Sequence, residues 1–150
     1  CRGGQGAVEK TFFETEGKTL EQGEWVHLAI VSEAGRTVHF FVDGVPVGSR
    51  TIEGTPVDQP LSRIELSKPD AAFSGDYDEL RLSRGARYTD EFKPDRRHAP
   101  DDKTIALYHF DNGVGEILHD ASGNGRDVRI NGATWVESDA SRAGAQGQIR

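Results

Sequence analysis

The chain has 150 residues, 25 of them acidic and 18 basic, so its formal net charge at pH 7 is −7. This length suits one domain around a single core, and the acidic balance lacks the positive field that a phosphate backbone requires. We therefore expect no nucleic-acid partner. We also expect no membrane insertion, because no apolar run approaches the roughly 18 residues of a membrane helix.

Eighteen glycines and frequent turn dipeptides predict an all-β chain with little helix. The first strands expected are residues 8–13 and 19–20, on either side of a Glu16-Gly17 turn. The chain contains no methionine, even at residue 1, which predicts that it starts at a cleavage point or at a cut within a larger multidomain protein.

Residues 25–47 carry the strongest pattern, two alternating apolar runs joined at residues 33–36 and a return after Asp43-Gly44. Asp-Gly suits a two-residue type I′ turn, because both turn positions need positive φ. The pattern predicts a three-strand antiparallel meander. Its first strand is apolar on both faces, so we expect both faces to be buried inside a sandwich.

After a proline-containing connection, residues 63–67 and 77–82 alternate as strands. The second places Asp78 on the same face as Leu80 and Leu82. A carboxylate on an apolar face must be paired, hydrogen-bonded or metal-bound, because an isolated buried charge costs several kcal/mol. We therefore expect the substitution Asp78→Asn to destabilise the fold.

Residues 83–103 form a charged segment, called here the crossing segment, which we expect Tyr88 and Phe92 to fix to the sandwich. Acidic residues are interspersed among its arginines, and this mixture of signs favours a solvated surface over a basic patch. Beyond it, residues 104–110 are predicted as a strand. Residues 127–130 and 133–136 are predicted as a hairpin around Asn131-Gly132, and 137–150 as a flexible tail.

Three separated segments resemble one family: GEWVHLAI with HFFVDGVPV, then GDYDELRLS, then LYHFDNGVGEILHDASGNG. They are similar to the signature strands of laminin-G-like (LamG) domains, within the concanavalin A-like lectin/glucanase superfamily. The resemblance implies a two-sheet antiparallel β-sandwich, a jelly roll. It also implies a module that is usually non-catalytic, extracellular and active in cell adhesion, in some members with calcium.

The order of the segments departs from the family. The F-D-x-G…D-x-S-G-N-G segment ordinarily opens such a domain, whereas here it follows the D-E-L-R strand. Either residues 104–136 close the same sandwich, giving one circularly permuted domain over residues 1–136, or an incomplete late part of one module is joined to the opening of the next. Permutation is tolerated where the termini of a compact domain lie close together.

The segment from Asp120 to Gly125 places oxygen side chains at positions 1, 3 and 5 and a glycine at position 6, as calcium loops do. We predict a Ca²⁺ site formed by Asp120, Ser122 and Asn124, with Asp78 as the acidic ligand from a neighbouring segment. The alternative is a hydrogen-bonded turn in which these polar side chains bond local backbone and Asp78 accepts N–H groups from the loop.

Two carboxylates on one strand face, Asp76 and Asp78, have the spacing that a retaining glycosidase could use. The superfamily's catalytic E-x-D-x-x-E pattern is absent, however, so we expect no enzyme. If a sugar is bound, Tyr77, Tyr108 and Trp135 are the aromatic candidates for holding it, although such residues more often belong to a core.

The sequence therefore predicts a non-catalytic module that binds a glycan or an extracellular protein. The parent protein would lie outside the cell, on its surface or in a periplasm, as the resemblance alone implies. A purely structural spacer and a glycoside hydrolase using Asp76 and Asp78 are the alternatives. No residue pattern identifies the ligand or the residues that contact it.

Overall fold

The computed structural model describes residues 23–33, 36–52, 66, 74–137 and 148–149. These residues form strands, turns and loops without a helix, and every strand pair among them is antiparallel, which confirms the predicted all-β class. Consequently, none of them contributes a helix long and apolar enough to span a membrane. The strands predicted at 8–13, 19–20 and 63–67 lie outside the described residues, apart from Leu66.

The predicted meander is present. Strand β1 (Leu28–Glu33) pairs with β2 (Thr37–Val42), and β2 pairs with β3 (Val45–Thr51). The turn between β2 and β3 has φ values of 53° at Asp43 and 80° at Gly44, the two positive angles that a type I′ turn requires. Asp43 also bonds back to His27. Its N–H donates to the His27 carbonyl at 2.8 Å, and its Oδ1 accepts the His27 N–H at 3.0 Å.

The prediction that both faces of β1 are buried is wrong. Leu28 and Ile30 are 61% and 73% exposed, whereas Val31 on the other face is buried. The register places Val31 on the same face as Phe41, which is 2% exposed. The crossing segment packs on this second face, so the described part of the chain covers one side of β1.

Tyr88 and Phe92 fix the crossing segment to the meander, as predicted. Their rings stack on each other with centroids 3.5 Å apart, and both meet Phe41 edge to face, at 6.4 and 5.5 Å. The Phe92 N–H donates to the Gly44 carbonyl at 3.0 Å. At Gly44 a β-carbon would overlap the Phe92 carbonyl oxygen, so only glycine allows this approach.

Strand β4 (Leu80–Ser83) pairs with β5 (Thr104–Tyr108), which joins the two ends of the crossing segment. Leu80 and Leu82 pack against a buried cluster, as their predicted face requires. The cluster's buried members are Ala106, Tyr108, Phe110 and Leu118. The predicted strand over residues 77–82 is wrong at its start, because Glu79 adopts a φ of 51° and the alternation of faces begins only after it.

The predicted hairpin around Asn131-Gly132 is also wrong. Strand β7 (Val128–Arg129) pairs with β6 (Ile117–Leu118), and β8 (Trp135–Val136) pairs with β9 (Gln148–Ile149). Gly132 has a φ of 78°, but Asn131 keeps a negative φ, so the two residues do not form a type I′ turn. Within the predicted flexible tail, residues 148 and 149 thus return to a sheet, while residues 138–147 lie outside the described residues.

Candidate functional site

The Asp120 loop closes on itself through hydrogen bonds. Asp120 Oδ1 accepts the N–H groups of Leu107 at 3.0 Å and Ser122 at 2.9 Å, and its Oδ2 accepts the Ser122 hydroxyl at 2.8 Å and the Arg126 N–H at 3.0 Å. Burial alone would raise the pKa of Asp120, but these hydrogen bonds outweigh it and lower the pKa to about 2. The carboxylate thus ties the loop to strand β5.

Asn124 and Ser122 also help to hold the Asp120 loop against strand β5. The Asn124 side-chain amide donates to the carbonyls of Thr104 at 3.0 Å and Ile105 at 3.1 Å, and Ser122 Oγ accepts the Asn124 N–H at 3.3 Å. The side-chain oxygens of Asp120 and Ser122 therefore already accept hydrogen bonds, which fits the hydrogen-bonded alternative. Among the residues that the structure describes, no group of three His, Cys, Asp or Glu side chains has a metal-binding arrangement.

Asp78 is not hydrogen-bonded to this loop in the described structure. Its Oδ1 accepts the N–H of the next residue, Glu79, at 3.0 Å. Burial, then the negative charge of Glu79, raises the pKa of Asp78 to about 6, and Asp111 adds to the effect while Arg97 opposes it. The structure thus brings Asp120, Ser122 and Asn124 together and leaves Asp78 in a different electrostatic neighbourhood.

Glu79 is the buried carboxylate that the sequence did not single out. Its side chain is only 12% exposed, and its oxygens accept the His98 N–H at 2.9 Å and a hydrogen bond from His109 Nδ1 at 2.7 Å. Arg97 lies 3.5 Å from Glu79 Oε1 and donates to Asp111 at 2.6 Å. These partners hold a non-glycine residue in the left-handed region. Strict alternation would place Glu79 on the face opposite Asp78, and its positive φ, which breaks that alternation, has no signal in the sequence.

The three aromatic candidates have structural roles. The Tyr108 hydroxyl donates to the Arg126 carbonyl at 2.7 Å, and Tyr108 is 5% exposed. The Tyr77 hydroxyl donates to the Leu66 carbonyl at 2.8 Å, and Trp135 Nε1 donates to the Gly115 carbonyl at 2.8 Å. Tyr77 and Trp135 also pack against the buried cluster. Each ring is therefore part of the core or its border.

A shallow cavity of about 290 Å³, open to solvent, lies between strand β4, the crossing segment and the turn before β5. Three cationic and three anionic side chains line it: Arg81, Arg87, Lys103, Asp95, Asp101 and Asp102. Tyr88 borders it as well. Five of these six charged residues belong to the crossing segment, whose mixed sign was evident from the sequence, and Arg81 belongs to β4. Their convergence depends on the β4–β5 pairing, which brings residue 81 beside residue 107.

Two of the charges in this cavity are paired with each other. Arg87 holds Asp101 through two hydrogen bonds, at 2.8 Å from Nη1 and 2.5 Å from Nη2, and its Nη2 also donates to Thr104 at 3.2 Å. Hydrogen bonds from Arg87, and then from Thr104, hold the pKa of Asp101 well below its usual range. Arg97 is likewise engaged with Asp111, which accords with a mixed surface and not a basic patch.

A family model described as the concanavalin A-like lectin/glucanases superfamily matches residues 3–93, more than half of the chain. The chain belongs to this superfamily. Searches of curated proteins and of solved structures found no match. Membership confirms the resemblance inferred from the sequence and supports, at the superfamily level, a binding module on an antiparallel β-sandwich. The matched range contains the meander and strand β4, whereas the Asp120 loop lies beyond it.

Proposed function

We propose that this concanavalin A-like domain is a non-catalytic binding module that recognises a glycan or a protein in an exported or cell-surface protein. Superfamily membership supports the binding role. The observation that carries the proposal is the cavity between β4 and the crossing segment. Several polar side chains converge there that make no hydrogen bond within the described residues. Sites that bind polar ligands combine a concave surface with a few convergent hydrogen-bonding groups.

The available groups can be named. Asp95, Asp102 and Lys103 line the cavity, and their side chains make no hydrogen bond within the described residues. Arg81 donates from one guanidinium nitrogen to the Tyr88 hydroxyl at 2.7 Å, which leaves further N–H donors. By contrast, the oxygens of Asp120 and Glu79 already accept several hydrogen bonds each. The cavity thus offers hydrogen-bonding groups that these two carboxylates do not.

Binding of the purified chain to a glycan array and to extracellular protein extracts tests the proposal. We expect a saturable ligand from one of these two classes. A chain that binds neither would contradict the binding module and support the structural spacer. If the chain is exported, a tagged full-length protein should also appear in the extracellular or cell-envelope fraction.

A glycoside hydrolase remains the second candidate, favoured by one observation. Burial raises the pKa of Asp78 to about 6, and a carboxyl whose pKa is raised towards neutral pH can act as a general acid. Incubation with a panel of aryl glycosides and polysaccharides decides between the two. Release of reducing sugar that is lost in Asp78→Asn would establish the hydrolase; binding without turnover supports the non-catalytic module.

Calcium at the Asp120 loop stays a prediction. A cation bound to the native state alone would raise the melting temperature by mass action. Thermal unfolding with chelator and with added calcium therefore separates the alternatives. A melting temperature that depends on calcium would indicate a metal site, whereas the hydrogen-bonded loop by itself gives the same temperature in both conditions.

A further inference from the structure

We infer that His27 and His98 form a pH-sensitive switch that releases residues 92–98 of the crossing segment from the meander in mildly acidic solution. The two histidines lie on the parts that the switch separates, His27 just before β1 and His98 within the crossing segment. Their rings are 6.1 Å apart and meet edge to face. Such a switch would operate whether or not the module binds a ligand.

Each of the two imidazole rings buries a nitrogen that has no acceptor nearby. The Nδ1 atoms of His27 and His98 are inaccessible to solvent, and neither has a hydrogen-bond partner among the described residues. A neutral imidazole can carry its proton on Nε2, whereas an imidazolium carries an N–H on both nitrogens. Protonation of either ring would therefore bury a charged N–H donor for which the described residues supply no acceptor. The closed arrangement thus suits the neutral rings.

The charges around the two rings do not remove this preference. Burial is the main effect and lowers the pKa of both histidines, and Arg81 lowers both further. A charge on His27 would also lower the pKa of His98. The opposing charges are Asp95 of the crossing segment for both rings, Asp43 of the β2–β3 turn for His27, and Glu79, just before β4, for His98.

The closed form therefore binds fewer protons than a form in which the two rings are hydrated. Hydrated histidines have their ordinary pKa of about 6.5. As the pH falls through about 6.5 towards the lower pKa values of the closed rings, protonation favours opening. Above this range the neutral rings stabilise the closed form in full. Because two rings contribute, the transition should be steeper than that of a single histidine.

Opening should stay local, because few kinds of contact hold this part of the crossing segment. Residues 84–103 form no strand or helix, so single contacts determine their position. The His27 ring meets Phe92 edge to face at 5.6 Å, as well as His98. A charge on His27 therefore acts on both ends of residues 92–98. The β4–β5 pair and the buried cluster around Tyr108 consist of other residues.

The released residues shape one surface of the module. Asp95 lines the shallow cavity, and Phe92 stacks on Tyr88, which borders it. Opening would move Asp95 and remove the ring that supports Tyr88. The switch would thus change this surface in an acidic medium and restore it at neutral pH.

Amide hydrogen exchange of the full chain, followed by nuclear magnetic resonance at pH 7.5 and pH 5, tests the switch. The Phe92 N–H bonds the Gly44 carbonyl, and the His98 N–H bonds Glu79. After correction for the intrinsic effect of pH on exchange, we expect the protection of both amides to fall at least about tenfold at pH 5, because the two rings multiply their effects. Both imidazoles should titrate over the same pH range.

Two amides bonded elsewhere serve as internal references. The Leu107 N–H donates to Asp120, and the Ala121 N–H donates to the Leu107 carbonyl. These amides should not share the loss of protection. An equal loss at all four amides would indicate acid unfolding of the whole chain and would overturn the switch.

Variants identify the titrating groups. His27→Gln and His98→Gln should each reduce the effect of pH on the Phe92 and His98-position amides, and the double variant should abolish it, because glutamine does not titrate. His119→Gln is the matched control, since the His119 side chain is 63% exposed, and it should behave as the wild type. Melting temperatures at pH 7.5 identify a variant that does not fold, and the wild-type measurements then decide the question.

The remaining outcomes also decide against the switch. Imidazole titration with both amides still protected would show that the charged rings are tolerated in the closed form. Loss of protection without imidazole titration, or a loss that persists in the double variant, would assign the effect to another group such as the Glu79 carboxylate. None of these outcomes affects the proposed binding function, which ligand binding at neutral pH tests separately.

Discussion

Two turns with the same sequence signal behave differently in this protein. Asp43-Gly44 closes a hairpin between β2 and β3, whereas Asn131-Gly132 connects two strands that pair elsewhere. Both glycines adopt nearly the same φ, 80° and 78°. The residues before them differ, because Asp43 also has a positive φ and Asn131 does not. The dipeptide alone therefore does not determine the hairpin.

The surroundings of the two glycines explain the difference. At Gly44 the crossing segment approaches so closely that the Phe92 N–H bonds the Gly44 carbonyl and no β-carbon fits. At Gly132 no described atom lies within 4 Å of the position that a β-carbon would take, so no such neighbour constrains the turn. The first turn is part of a long-range contact, and the second is a local bend. The predictions below separate the two kinds of turn, from the largest expected effect to the smallest.

Gly44→Ala should cause the largest loss of stability. The substitution combines a left-handed conformation, which costs a non-glycine residue about 1–2 kcal/mol, with displacement of the Phe92 backbone, and overpacking of this kind costs about 1–3 kcal/mol. We expect a total loss of about 3 kcal/mol or more, measured by urea unfolding. Gly132→Ala, with the same φ and open space, should lose about 1 kcal/mol. Equal losses would contradict the close approach at Gly44.

Asp120→Ala should cause the next largest loss of stability. It tests a loop that is held by its own hydrogen bonds and not by packing of a distant segment. We expect a loss of about 2–3 kcal/mol, since four donors lose their acceptor at once. Because the folded pKa of Asp120 lies below its ordinary value, its contribution is complete above about pH 4 and is lost as the pH falls towards 2. Urea unfolding at pH 7 and pH 2.5 should therefore show a smaller difference between variant and wild type at the lower pH.

Asp78→Asn should stabilise the protein at neutral pH, which reverses the direction expected from the sequence. Asparagine can still accept the Glu79 N–H, and it removes a half-buried charge beside Glu79. Because the folded pKa is raised to about 6, the wild type loses stability as the pH rises from about 4 through 6. We expect a gain of about 1 kcal/mol at pH 7.5, after allowance for solvent screening, and none at pH 4. A loss at pH 7.5 would indicate that the charge of Asp78 is needed.

The smallest effect should come from His27, just before β1, and His98, on the crossing segment, whose rings lie 6.1 Å apart. Burial lowers the pKa of both histidines, and the positive charge of Arg81 lowers both further. The shift at His27 is opposed by Asp43 and Asp95. The shift at His98 is opposed by Glu79 and Asp95. Their neutral forms therefore stabilise the fold above about pH 6.5, and this contribution declines below that pH.

Asp78 works in the opposite direction over part of this range, so the histidine effect should be measured in the Asp78→Asn variant. There we expect stability to fall from pH 7 to pH 5, and the imidazole resonances of both residues to titrate below pH 6.5. Titration at or above 6.5 would contradict the burial of these rings. In the His119→Gln variant the same fall should remain, because the His119 side chain is 63% exposed.

Sequence patterns predicted the features that depend on near neighbours. The meander, its Asp43-Gly44 turn and the apolar face of Leu80 and Leu82 were all correct, because alternation and turn geometry are local properties. The anchoring roles of Tyr88 and Phe92 were also anticipated, since two aromatic rings in a charged segment need an apolar partner. The motifs led to the right superfamily for the same reason.

The errors share a different cause. Glu79 interrupts its strand because His98 and His109, from two other segments, hold its carboxylate. Leu28 and Ile30 are exposed although Val38 and Val42, on the same face of the sheet, are buried. The alternation of apolar and polar residues along the strands predicts neither fact.

The sequence by itself thus determined the class of fold, its superfamily and the stretch that forms the first sheet. Only the tertiary structure decided that Asp120 binds its own loop, that Asp78 stays apart from it, and that Arg81 meets Asp95, Asp102 and Lys103 in one cavity. The physical reason is distance along the chain. Strand periodicity follows from adjacent residues, whereas a site joins side chains whose positions depend on how separate strands pair.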